Sequence, residues 1–201
     1  MKYAANIAAV AALRPDYLGF IFYNQSPRFI NEVSAELIKY IPEEIKTVGV
    51  FVNEDLEELS KVLTLNKLQV VQLHGNESPE FCSRLKAKFP HLELIKAFGI
   101  DEDFDFSLLK GYTDQVDYFL FDTKTKAHGG SGKTFDWRIL DKYTGAKPYF
   151  LSGGIDLQHA LAIKEISDER LYALDINSKF ELEPGLKDAE KVAAFKTIID
   201  G

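Results

Sequence analysis

Short runs of nearly uninterrupted apolar residues recur along this chain, and between them apolar positions return every three or four residues. The first pattern suits a strand covered on both faces, the second a helix burying one stripe. The order opens with an alanine-rich helix over Ala4–Leu13 that turns Ile7, Val10 and Ala11 inward. Strand runs follow at Tyr17–Tyr23, Lys46–Val52, Gln69–Leu73, Glu93–Phe98, Asp117–Asp122, Tyr149–Leu151 and Leu171–Ile176. Helical stretches separate them near Glu32–Ile41, Leu56–Leu63, Pro79–Phe89, Phe106–Tyr112, Trp137–Tyr143 and Leu157–Lys164, and Ala189–Ile199 comes last. Ser78 ahead of Pro79, and Asp188 ahead of the last helix, are helix-start signals.

Strands alternating with helices build parallel sheets through right-handed crossovers. Seven strands and eight helices, opening on a helix, predict most of one α/β barrel. A doubly wound open sheet would usually carry its phosphate-binding glycines after the first strand. Here the glycine-rich segments lie late in the chain, at 129–132 and 153–154, where a barrel carries its phosphate loops. The expectation is therefore a (β/α)8-type barrel with its first strand missing, as a single domain over 1–201.

Composition narrows the partners. Of 201 residues, 46% are hydrophobic and 27% charged, ordinary for a globular chain. A net charge of -7 argues against nucleic acid, which needs a basic face, but leaves a small anion open. One cysteine, Cys82, forms no internal disulfide, which fits a reducing cytoplasm. Beside Phe81 and Leu85 on a helix it reads as packing. Lys2 with Ala4–Leu13 has a faint secretory-signal look, but Asn6 interrupts the run and a strand follows at once. No apolar run reaches membrane-spanning length.

Polar residues gather where strands end, and in a barrel those ends share one pocket. Arg28 follows the first strand run and could fork onto a carboxylate, or simply face solvent. His74 follows the third and reads equally as a pocket donor or a loop residue. Asp122 ends the apolar run DYFLFD, where it could be a general acid or a cap for the next loop. Gly153 and Gly154 sit in SGGID before a helix, a place for an anion or for a tight turn. With Asp175, Asn177 and Ser178 after the seventh strand, the phosphate reading is the stronger. The loop KTKAHGGSGKTF over Lys124–Phe135 lacks the first glycine of a nucleotide P-loop, having Ala127 there, and reads as an active-site loop around Gly130 and Gly132.

As a set, LGFIFYNQSPRFI, VGVFVNEDLEEL, VVQLHGNESPEFCSRL, LFDTK, GGSGKTFDW, LSGGI and LDINSKFELEPGLKD resemble the phosphoribosylanthranilate isomerase family over nearly the whole chain. The resemblance implies an Amadori rearrangement of N-(5-phosphoribosyl)anthranilate to 1-(2-carboxyphenylamino)-1-deoxyribulose 5-phosphate in tryptophan biosynthesis, with no metal or cofactor. It implies Asp122 as general acid, Arg28 on the anthranilate part, His74 in the pocket, and Gly153, Gly154, Asp175, Asn177 and Ser178 on the phosphate side. It also implies a small phosphorylated substrate, no membrane or nucleic-acid partner, and a monomer or homodimer. The family's opening strand, with a Lys-x-Cys-Gly-Met-like motif and its general-base cysteine, has no counterpart in MKYAA. The expectations are an N-terminally shortened form, unpaired edges at Tyr17–Tyr23 and Leu171–Ile176, and weakened base catalysis. Two rival readings are a non-catalytic phosphate-ligand barrel and an aldolase using a barrel lysine, with Lys96 the candidate.

Overall fold

The computed structural model describes residues 1–123 and 137–201. Seven strands form one parallel sheet in chain order: β1 (Tyr17–Ile21), β2 (Lys46–Phe51), β3 (Val70–Leu73), β4 (Glu93–Ile100), β5 (Tyr118–Thr123), β6 (Tyr149–Ser152) and β7 (Leu171–Leu174). The α-helices are α1 (Ala4–Ala11), α2 (Ala35–Ile38), α3 (Leu56–Asn66), α4 (Pro79–Lys88), α5 (Ala160–Lys164) and α6 (Ala189–Asp200). The barrel architecture is as expected, with seven of its strands among the described residues.

Pleating divides the strand side chains between two apolar layers. Val48, Val70, Ile95, Ala97, Leu120 and Phe150 pack together inside the curled sheet. Phe20, Leu73, Leu94, Phe119, Phe121 and Leu151 face outward and pack with Ile7, Leu59, Cys82, Leu85 and Phe195 of the helices. Each fully buried side chain of this size stabilises by about 1.5–3 kcal/mol, so the outer layer fixes the helices on the sheet.

The helix starts follow the sequence signals. Ser78 accepts the Phe81 N–H and Asp188 accepts the Lys191 N–H. Four of the eight expected helices differ. Phe106–Tyr112 and Trp137–Lys142 are 3-10 segments, and Leu157–His159 is a 3-10 turn leading into α5. These are short connections, and the tighter i→i+3 winding suits one or two turns. The helix expected over Glu32–Ile41 shrinks to the four residues of α2, because Pro42 disfavours helical backbone at Ile41.

Among the described residues no ladder joins β1 to β7. The β1 edge is nevertheless not bare. The Met1 amino group donates to the Gly19 carbonyl at 2.8 Å, and the Ile30 N–H donates to the Ile21 carbonyl at 3.0 Å. At the opposite end of the sheet the Tyr17 and Tyr172 hydroxyls meet at 3.4 Å. A further hairpin, absent from the sequence expectation, follows β7: β8 (Glu181–Glu183) pairs antiparallel with β9 (Leu186–Lys187). Gly185 turns it with φ +88°, a conformation that favours glycine. The Asn6 side chain binds both the N–H and the carbonyl of Lys187, each at 2.7 Å, which ties the hairpin to α1.

Candidate active site

A cavity of about 850 Å3 opens at the C-terminal ends of the strands. It continues down between β1 and β7 to Val10 of α1 and to Phe195 and Ile199 of α6. Arg28, His74, Asp122, Gly153, Gly154, Asp175, Asn177 and Ser178 all line it. Gly130 and Gly132, with the rest of Lys124–Phe135, lie outside the described residues.

Asp122 occupies the inward face at the end of β5, paired in register with Ser152 of β6. His74 Nε2 lies 3.3 Å from Asp122 Oδ2, and His74 Nδ1 lies 3.1 Å from Gln72 Nε2. An ionised carboxylate can only accept, so His74 Nε2 donates toward Asp122. Gln72 also stands near the Asp175 carboxylate and favours its charged form. Three side chains thus form one chain, Gln72–His74–Asp122, from β3, the loop after it and β5, with Asp175 lining the same cavity. Asp122 lines the cavity with this imidazole beside it.

Burial pushes the Asp175 carboxyl above its ordinary value, and the neighbouring Asp122 charge adds to that. Lys187 and His74 pull in the other direction without cancelling the effect. Burial thus favours the protonated form of Asp175, while the imidazole contacts Asp122.

Arg28 is engaged within the chain. Its fork is occupied by Glu181 of β8: Nε donates to both carboxylate oxygens at 3.0 and 2.9 Å, and Nη2 to Oε2 at 2.5 Å. Lys187 joins them with Nζ 3.3 Å from Glu181 Oε1 and 2.8 Å from Asn177 Oδ1. Burial pushes the Lys187 ammonium down, against the charges of Glu181 and Asp175. Arg28 stays at the cavity wall, but its carboxylate partner comes from this chain. The hairpin brings Glu181 together with Arg28 across 153 residues of sequence.

Across the mouth, Gly153 and Gly154 take φ of +92° and +64°, which exposes the backbone of this turn. Asp156 then caps the 3-10 segment through the Leu157 N–H at 2.7 Å, and it also pairs with Lys191. Asn177 and Ser178 border the same opening. Among the described residues no group of three or more His, Cys, Asp or Glu side chains is disposed to share a metal ion. Cys82 is fully buried in the outer layer, and burial pushes its thiol up to about 11. Sequence reasoning missed Gln72, Glu181 and Lys187. Gln72 was the one with a signal: a polar residue at an inward position of an otherwise apolar strand.

The profile of the family described as N-(5'-phosphoribosyl)anthranilate isomerase matches residues 1–197. The chain belongs to the N-(5'-phosphoribosyl)anthranilate isomerase family. It is 46% identical over 197 residues to the isomerase of Parabacteroides distasonis, covering 97% of this chain and 88% of that one. Among solved members of the family it superposes with a TM-score of 0.83 and 28% identity on one in complex with reduced 1-(o-carboxyphenylamino)-1-deoxyribulose 5-phosphate, over 100% of this chain and 95% of the other. Monomers generated from the dimeric isomerase of Thermotoga maritima match with a TM-score of 0.80 and 28% identity, over 100% and 95% of the two chains.

Proposed function

We propose that this chain catalyses the Amadori rearrangement of N-(5-phosphoribosyl)anthranilate in tryptophan biosynthesis. One observation carries the assignment of groups. A carboxylate at the end of β5, Asp122, is held by His74 at 3.3 Å in a cavity whose far wall is the Gly153–Gly154 turn. A phosphate seated at that turn, with Asn177 and Ser178 beside it, directs the sugar ring toward β5. Asp122 then protonates the ribose ring oxygen, and the ring opens to a Schiff base. Removal of the C2 proton gives the enolamine, which ketonises to the ribulose product. Asp175, Lys187 and Gln72 line the path between the two ends of the substrate.

The base step has no assigned residue in this chain. Cys82 is fully buried and faces the helix layer, with its thiol proton held tightly, so it does not remove that proton. The slot between β1 and β7 is where a further parallel strand carrying a cysteine would fit. Family membership favours the isomerase over a non-catalytic phosphate-binding barrel. The aldolase alternative loses its lysine, because Lys96 points away from the cavity into the outer layer. The same reading carries a cytoplasmic monomer or homodimer folded as one domain and indifferent to nucleic acid, in keeping with the charge of -7. No described helix is long and apolar enough to cross a membrane.

The test is turnover of freshly generated N-(5-phosphoribosyl)anthranilate, followed by the fall in anthranilate fluorescence. It is run with this chain and with a form extended by the family's strand and cysteine. Asp122→Asn in the extended form is expected to lose about a hundredfold to ten-thousandfold in rate. An extended form that is inactive, or whose rate survives Asp122→Asn, overturns the assignment.

A further inference from the structure

Among the described residues Lys96 is the largest charged side chain the protein encloses, 2% exposed, and the chemistry above does not use it. On β4 its neighbours Ile95 and Ala97 turn into the sheet interior, so Lys96 points outward, beneath the loop joining β3 to α4. Its Nζ donates to the carbonyls of Gly75 at 2.8 Å, Ala97 at 2.9 Å and Leu73 at 3.3 Å. The Glu77 carboxylate stands 3.3 Å away and is itself 2% exposed. Glu77 accepts the backbone N–H groups of Asn53 at 2.8 Å and Gly75 at 3.0 Å. Asn53, in left-handed backbone at φ +54°, accepts the Asn76 N–H at 2.6 Å through its side chain. The loop is drawn so close that a Cβ on Gly75 would lie 2.4 Å from Asn53 Oδ1.

A buried ion pair of this kind adds little stability over a well-packed apolar pair, because both charges lose water. Its donors and acceptors instead fix geometry. Those at Leu73, Gly75 and Glu77 bracket His74, whose imidazole reaches Asp122. We propose that Lys96, acting with Glu77, is a positioning residue: the charged clamp holds the backbone of residues 73–77 so that His74 presents Nε2–H to Asp122.

This rests on the reading that the cavity binds the isomerase substrate, so two readouts separate the two claims. The first is affinity for reduced 1-(o-carboxyphenylamino)-1-deoxyribulose 5-phosphate by calorimetry. The second is the tautomer and position of the His74 ring in long-range proton–nitrogen spectra, which needs no ligand. Lys96→Met is expected to weaken analogue binding by about tenfold to a hundredfold, as displaced groups do. Adding His74→Ala to it should then cost little more, because the two act through one contact. The neutral pair Lys96→Met/Glu77→Gln should recover thermal stability without recovering affinity or the His74 signal, whereas a purely structural pair would recover all three. Losses that multiply between Lys96→Met and His74→Ala, or a His74 signal unchanged in Lys96→Met, overturn the inference. Should Lys96→Met not fold, Glu77→Gln takes its place in both readouts. Should the parent chain not bind the analogue, the substrate reading fails, and the His74 signal alone decides the clamp.

Discussion

Replacing Glu181 with glutamine keeps the side-chain shape and removes one charge from a place where two cations converge. Arg28 contacts this carboxylate with three N–O distances of 3.0 Å or less, Lys187 lies at 3.3 Å, and the Gly185 N–H donates at 3.2 Å. Side-chain exposures are 4% for Glu181, 11% for Lys187 and 21% for Arg28. Removing one partner from a buried pair costs about 3–5 kcal/mol. Arg28 can turn partly into water, which places Glu181→Gln near the low end, about 3 kcal/mol. In a domain of this size each kcal/mol moves Tm by about 2–4 °C, so a fall of about 6–12 °C is expected. Urea unfolding should show a lower midpoint with an unchanged slope. The pH dependence has a definite sign. Burial pushes the Glu181 carboxyl up, but the Arg28 hydrogen bonds and the Lys187 charge outweigh this and hold it below its ordinary 4.5. Its contribution is then complete above that pH and is lost as pH falls through the lower folded value. The gap between parent and variant should therefore close in acid. A variant that melts within about 2 °C of the parent at neutral pH, or whose deficit persists unchanged in acid, refutes the reasoning.

Asp168 offers a second acid-sensitive contact. Arg170 donates to it through the backbone N–H, Nε and Nη2, and Tyr149 donates at 2.9 Å, which together hold its carboxyl down at about 2. Asp168→Asn should cost about 2 kcal/mol at neutral pH, with the difference vanishing as pH falls from about 4 toward 2, measured by urea midpoints across that range. Cys82→Ala should cost about 1–2 kcal/mol of stability, the order of a small buried side chain, and leave analogue affinity and turnover unchanged. A loss of turnover in Cys82→Ala without a loss of stability would place the thiol in the chemistry after all.

The order and type of most elements were legible in the chain because they depend on neighbours in sequence. Uninterrupted apolar runs such as the YFLF of β5 and the YFL of β6 suit strands covered on both faces, and Ser78 and Asp188 mark helix starts by local hydrogen bonds. Asp122, His74 and the Gly153–Gly154 turn could be named from their places at strand ends, since parallel strands deliver those ends to one side. What joins them was settled in space. Gln72 reaches His74 only because pleating turns it inward, and the same alternation sends Lys96 outward to Glu77. The β8–β9 hairpin is too short to leave a periodic signal, and it decides that Arg28 meets Glu181, 153 residues away. Period and propensity act over one or two turns of chain. The partner of a charged side chain is set by which strands and loops the closing sheet brings within a few ångströms.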